Sequence, residues 1–136
     1  MLTCEYPKVR VLVVDDHELT RFSLSLALQN QADIELVGLA SNGQEAINLV
    51  QEHQPDVVIL DLQMPVLDGL SASSQIKTSC PGIHILAYSS LEDPQTEVMV
   101  QTANIDAFCK KDTDTAELIQ IVRSLGQQVT RNPTNG

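Results

Sequence analysis

The chain has 136 residues, with 18 Asp and Glu against 8 Lys and Arg and a formal net charge of −10. This is the commonest size for one domain around one core, and 43 % hydrophobic with 19 % charged residues is a composition that folds rather than stays disordered. The acidic balance weighs against a surface that grips nucleic-acid phosphates or an anionic membrane, and no apolar run approaches the roughly 20 residues of a membrane helix. Residues 9–14 (VRVLVV) open the pattern as an apolar run without alternation, as in a strand covered by helices on both faces. A helical stretch is expected over 18–29 and a second β-rich run over 34–40. Asn42–Gly43 turns the chain into a helix at 43–52, and 57–60 (VVIL) is again uniformly apolar. A helix is expected over 70–78 and a strand over 83–88. Asp93 before Pro94 reads as an N-cap with proline at the first helical position, opening a helix at 94–103 that Asn104 closes. A weaker strand, 105–109, precedes a last helix at 115–125, with Asp114 and Glu117 in capping-box spacing and Gly126 as its end. The expected organisation is an N-terminal extension (1–7), one domain (8–126), and a flexible tail or truncated linker (127–136).

Strands alternating with helices of this length imply βαβ units and a mostly parallel sheet, an α/β fold. In such sheets ligands bind beyond the carboxyl ends of the strands. Four of the five expected strand ends carry chemistry: Asp15 and Asp16, Asp61, Ser89 and Ser90, and Lys110 and Lys111. Parallel strands would gather these groups on one edge. Three neighbouring carboxylates repel unless a cation sits among them, and hard oxygen donors favour Mg²⁺. Carboxylates beside Mg²⁺, with an ammonium and a hydroxyl opposite, suit phosphoryl transfer through an aspartyl phosphate. The adjacent Asp15 and Asp16 suit metal holding. Asp61, alone at a central strand end, is assigned as the nucleophile.

The blocks VLVVDDHE, NGQEA, PDVVILDLQMPVLDGL, ILAYSS and DAFCKKD resemble a receiver domain of a two-component response regulator. His17 after the acidic pair and Lys111–Asp112 resemble the NarL/FixJ-type subfamily. The resemblance runs from about Val9 to Leu125 and implies a single (βα)5 doubly wound sandwich with strand order 2-1-3-4-5, the flavodoxin-like receiver fold. It further implies Asp61 as phosphoacceptor and metal ligand, Asp16 as direct metal ligand with Asp15 acting directly or through water, and the backbone carbonyl of Gln63 completing the protein ligands of Mg²⁺. Ser89 takes the hydroxyl position 22 residues before Lys111, which favours it over Ser90. Phe108 takes the aromatic switch position, often Tyr, and brings no hydroxyl there. The implied function is to accept a phosphoryl group from a sensor histidine kinase or phosphotransfer protein and to switch an output, with transcription through a DNA-binding domain outside these residues the leading expectation. Such a chain is not an enzyme beyond its own phosphorylation and dephosphorylation. A stand-alone or pseudo-receiver acting as an interaction module is the alternative; a haloacid-dehalogenase-type phosphohydrolase is weaker, because the nucleophile block reads DLQMP rather than DxDx[TV].

Several residues lie outside that assignment. Cys4, Cys80 and Cys109 fit neither a zinc pattern nor a disulfide framework and, with no leader pattern at the start, point to the cytoplasm. His17 is expected at the pocket rim, and His53 and His84 as surface or strand-edge residues without partners. On the first helix Leu24, Ala27 and Leu28 share one side while Leu19, Phe22 and Leu26 share the other. The second stripe is expected to be a docking or dimerisation surface unless residues 1–7 cover it. In similar domains the position of Leu91, two residues after Ser89, helps place the hydrolytic water, so the resemblance implies that an apolar residue there slows self-dephosphorylation to hours.

Overall fold

In a computed structural model of the chain, the structure describes residues 8–62, 69–89 and 105–130. Five strands, β1 (Val9–Val14), β2 (Ile34–Ala40), β3 (Val57–Leu60), β4 (His84–Ser89) and β5 (Ala107–Lys110), form one parallel sheet in the order β2-β1-β3-β4-β5. The described helices are α1 (Glu18–Gln29), α2 (Gly43–His53), α3 (Gly69–Ser79) and α4 (Thr115–Thr130). The expected architecture and strand order are those observed. The helix expected at 94–103, with Asp93, Pro94 and Asn104, lies outside the described residues.

Two apolar layers hold the sheet. One packs Leu24 and Leu28 of α1 and Leu118, Val122 and Leu125 of α4 against Val11, Val13, Ile59 and Leu86. The other packs Ala46 and Val50 of α2 and Ile76 of α3 against Leu12, Val14, Val58, Leu60 and Ile85. Every residue of β3 is buried, which is why its sequence shows no alternation. The register between β1 and β2 slips between Val11 and Leu12. Opposite that slip, a Cβ on Gly38 would come within 3.2 Å of Leu12, so the edge strand lies close under the α2 layer.

Local chemistry sets the helix ends. Asn42 caps α2 by accepting the Glu45 amide at 2.9 Å, and Glu45 in turn accepts the Ser41 amide at 2.7 Å and its hydroxyl at 2.9 Å. These bonds hold the Glu45 carboxyl below the ordinary glutamate range. Helix α2 runs one residue beyond the expected end and stops at Gln54, left-handed at φ 50°, because Pro55 disfavours the right-handed helical conformation in the residue before it. Smaller shifts occur elsewhere: β4 starts at His84 rather than Ile83, and β5 starts at Ala107 and reaches Lys110.

Gly126 corrects the sequence reading more substantially. It does not end the last helix, which continues to Thr130, into the stretch expected to be tail. A Cβ at Gly126 would lie 2.5 Å from both methyl groups of Val9. The glycine lets α4 press onto the start of β1, and it marks a close approach rather than a helix stop.

Candidate functional site

Each strand end hands its polar residue to the same edge through the backbone ladder. The Asp15 amide donates to the Ala40 carbonyl at 3.0 Å, the Asp61 amide to Val14 at 2.9 Å, and the Lys111 amide to Ser89 at 2.9 Å. These bonds continue the pairings of β1 with β2, β3 with β1, and β5 with β4 for one more residue. Asp15 and Asp61 are therefore fixed in neighbouring positions and almost wholly buried, at 1 % and 3 % exposure, with Ser89 buried one strand further on.

The Lys111 ammonium reaches back across this edge. Its Nζ is 2.7 Å from Asp15 Oδ2 and 3.6 Å from Asp61 Oδ2. Burial opposes the charge on Lys111, but the bond to Asp15 and the charges of Asp61 and Asp15 outweigh it, so the ammonium is held charged above the ordinary lysine range. Tyr88 flanks the stem: its ring centroid is 5.8 Å from Nζ, and its hydroxyl donates a long 3.4 Å bond to the Lys111 carbonyl. Desolvation raises the Tyr88 phenol above its usual range, so it stays a neutral donor.

Asp15 Oδ1 accepts the His17 amide at 2.8 Å and lies 3.0 Å from His17 Nδ1. The same ring nitrogen is 3.2 Å from Asp16 Oδ1, a buried atom with no hydrogen-bond partner among the described residues. Arg21, one turn into α1, donates from Nη1 to the Asp15 carbonyl at 2.7 Å and pins the loop from behind. Asp15, Asp16, His17 and Asp61 can each offer a ligand atom, and those atoms all lie within 4.8 Å of one another. Three clustered carboxylates, two of them facing the Lys111 ammonium, form an oxygen-rich donor set that a hard dication fits.

The structure thus brings together Asp15, Asp16, Asp61 and Lys111 and places Ser89 beside them. Phe108, half-buried, pairs with Ala87 on β4. Gln63, Ser90 and Leu91 lie outside the described residues. Sequence reasoning gave no part in the site to Tyr88 or Arg21, and it placed His17 only at the rim. Position Tyr88, one residue before a strand-end hydroxyl, was the available signal for an aromatic beside the lysine. His84 also differs from expectation, since Nδ1 lies 3.5 Å from Asp106 Oδ1. His53 is likewise not isolated, with Nε2 3.9 Å from Glu52.

A parallel α/β sheet whose carboxyl edge gathers three aspartates, a hydroxyl and a lysine defines a class. Residues 11–123 match the response regulator receiver domain family, and the chain belongs to it. Over 123 residues it is 37 % identical to the response regulator protein VraR of Staphylococcus aureus, covering 89 % of this chain and 59 % of VraR. The chain therefore spans less than two thirds of the curated relatives it matches. Among solved structures it is similar to the signal receiver domain of the putative response regulator NarL from Mycobacterium tuberculosis, with TM-score 0.85, 30 % identity, and coverage of 90 % of this chain and 98 % of that one. It is also similar to a LuxR-family two-component response regulator from Aurantimonas sp. SI85-9A1, with TM-score 0.83, 25 % identity, and coverage of 89 % and 86 %. This is a receiver domain of the NarL/LuxR type. No helix among the described residues is long and apolar enough to cross a membrane.

Proposed function

We propose that this receiver accepts a phosphoryl group on Asp61 from a phosphohistidine on a sensor kinase or phosphotransfer protein. The observation that carries the reading is the buried Asp61 carboxylate beside Asp15, with the Lys111 ammonium 3.6 Å from the one and 2.7 Å from the other. An Asp61 oxygen forms the bond to phosphorus as the phosphorus–nitrogen bond breaks, and the electron pair leaves with the donor imidazole. Lys111 neutralises charge on the transferring group, and the Ser89 hydroxyl donates to one of its oxygens. Asp15, Asp16, Asp61 and the Gln63 carbonyl would hold Mg²⁺, which when bound would neutralise phosphoryl oxygen charge. The domain acts on no substrate beyond its own phosphorylation and dephosphorylation.

Phosphate on Asp61 biases Ser89 inward and Phe108 toward the space it leaves, a local charge change acting on a two-state element. The output we assign is transcriptional, through a domain beyond these residues, in keeping with the greater length of VraR. Incubation with acetyl phosphate and Mg²⁺, read by intact mass, tests the centre of the proposal. Wild type gains one phosphoryl group and Asp61→Asn gains none; an adduct on both, or on neither, overturns it. In the same assay the adduct decays over hours, as Leu91 predicts, and a half-life of seconds would reject that expectation.

The phosphodonor docks on α1. Leu19, Phe22 and Leu26 are 75 %, 57 % and 48 % exposed, and Leu19 also rims a cavity of about 260 Å³ with Thr20, Ser23, Leu24, Tyr88 and Thr115. That cavity joins the apolar stripe to the Lys111 side of the site through Tyr88. Replacing Phe22 and Leu26 with Glu leaves uptake from acetyl phosphate intact and slows transfer from a phosphohistidine protein at least about tenfold, the loss of two buried apolar anchors. Unchanged transfer and unchanged association state would remove the docking role.

A further inference from the structure

We propose that Tyr88 is a positioning residue for Lys111: its ring confines the lysine side chain so that the ammonium stays aimed at Asp15 and Asp61. The inference rests on the reading that Asp61 accepts a phosphoryl group opposite Lys111. The sheet register brings the two residues together. Tyr88 of β4 lies opposite Cys109 of β5, and Ser89 opposite Lys110. The Lys111 amide donates to the Ser89 carbonyl at 2.9 Å, which carries the ladder one residue further. Side chains alternate along a strand, so Cys109 and Lys111 project from one face and Lys110 from the other. Tyr88 and Cys109 both belong to the core layer under α1 and α4. Tyr88 therefore stands diagonally beside Lys111 on that face. The same alternation separates the two lysines: Lys110 is exposed, whereas the Lys111 side chain is 18 % exposed.

A lysine carries a strongly hydrated charge on a flexible stem, so its ammonium swings toward water unless a wall confines it. Tyr88 supplies that wall, and its own burial in the core fixes the ring. The ring centroid lies 5.8 Å from Nζ, within reach of the attraction between a cation and a π face. The hydroxyl donates to the Lys111 carbonyl at 3.4 Å, which ties the ring to the backbone of the residue it confines. On its other side Tyr88 borders a cavity of about 260 Å³ between Leu19 of α1 and Thr115 of α4. A smaller side chain at 88 would join that cavity to the space beside Lys111. The ammonium would then have a second place to rest, away from the carboxylate oxygens now 2.7 and 3.6 Å from it.

The test measures initial rates of phosphoryl uptake from acetyl phosphate at saturating Mg²⁺, read by intact mass, with folding checked by circular dichroism. Tyr88→Leu slows uptake at least about fivefold, through loss of the π face and misplacement of the ammonium. Tyr88→Phe keeps the ring, gives up only the long hydroxyl bond, and slows uptake less than about twofold. In a Lys111→Met background Tyr88→Leu has no further effect, because a residue that acts through another is not additive with its loss. Where Tyr88→Leu does not fold, Tyr88→Met, longer and more adaptable but without a π face, takes its place in the same comparisons. Wild-type uptake in the ring-less variant, an equal loss in Tyr88→Phe, or the same fold loss with and without Lys111 overturns the inference while Asp61 stands as phosphoacceptor. No uptake by wild type overturns both readings.

Discussion

At the edge where the strands begin, Asp56 and Asp106 each accept a backbone amide, and Asp106 also faces a lysine. Asp56 Oδ2 accepts the Arg10 amide at 2.9 Å, while the Arg10 guanidinium donates to the His53 carbonyl at 2.6 Å. Asp106 Oδ2 accepts the Ile85 amide at 2.7 Å and lies 2.8 Å from Lys77 Nζ, with His84 alongside. At the edge where the strands end, Asp15 and Asp61 face Lys111, and Asp16 lies in the same acidic cluster. The same residue types thus do opposite work. Asp106 fastens α3, β4 and β5 together through its donors, whereas the clustered carboxylates of the other edge offer oxygens that a cation can bridge.

The largest effect should come from removing a satisfied carboxylate. Asp106→Ala leaves the Ile85 amide and the Lys77 ammonium half-buried without their acceptor and should cost about 2–3 kcal/mol in denaturant unfolding. Its pH dependence has a definite sign. Burial pushes the Asp106 carboxyl up, but the bonds from Lys77 and Ile85 and the charges of Lys77 and His84 prevail and hold it below the ordinary aspartate range. A depressed folded-state pKa means that the contribution is fully present above the unfolded value of about 3.9 and is lost as pH falls through the folded one. Wild type should therefore lose stability below about pH 4 more steeply than Asp106→Asn; equal slopes would show that this edge is not held by charge.

Gly126→Ala tests the same edge by sterics. The added methyl meets the branched side chain of Val9, itself buried in the sheet, and should cost about 1–3 kcal/mol by thermal or chemical unfolding. A neutral or stabilising result, as expected for a glycine in an open helix position, would remove the close approach as its reason. The smallest effect has the opposite sign. Asp61→Asn should stabilise the metal-free domain by about 1 kcal/mol, because it removes one of three crowded carboxylates. Saturating Mg²⁺ should erase that advantage, since it stabilises only the form that binds it. Destabilisation by Asp61→Asn without metal would mean that the carboxyl edge is balanced after all.

Much of this was readable along the chain. The uniformly apolar runs of β1 and β3 announced strands buried on both faces, and the helix spacing between them fixed the α/β class. Asp15, Asp16, Asp61 and Lys111 stood out because each lies within two residues of an expected strand end, where a parallel sheet gathers it on the carboxyl edge. The reading failed where the cause was a distant neighbour. Gly126 looks like a helix terminator to any local rule, yet the α4 layer pressing on Val9 decides its role. Asp106 and Lys77, 29 positions apart in the sequence, give no local sign of pairing. Tyr88 and Arg21 were passed over because nothing in their own surroundings marks them as supports for a lysine and a loop carbonyl. What the sequence determined by itself was the alternation of elements and which residues end the strands, since both follow from local periodicity and chain direction. What only the tertiary structure decided was how many donors each carboxylate meets, because hydrogen bonds and charge balance depend on segments that the chain joins in space alone.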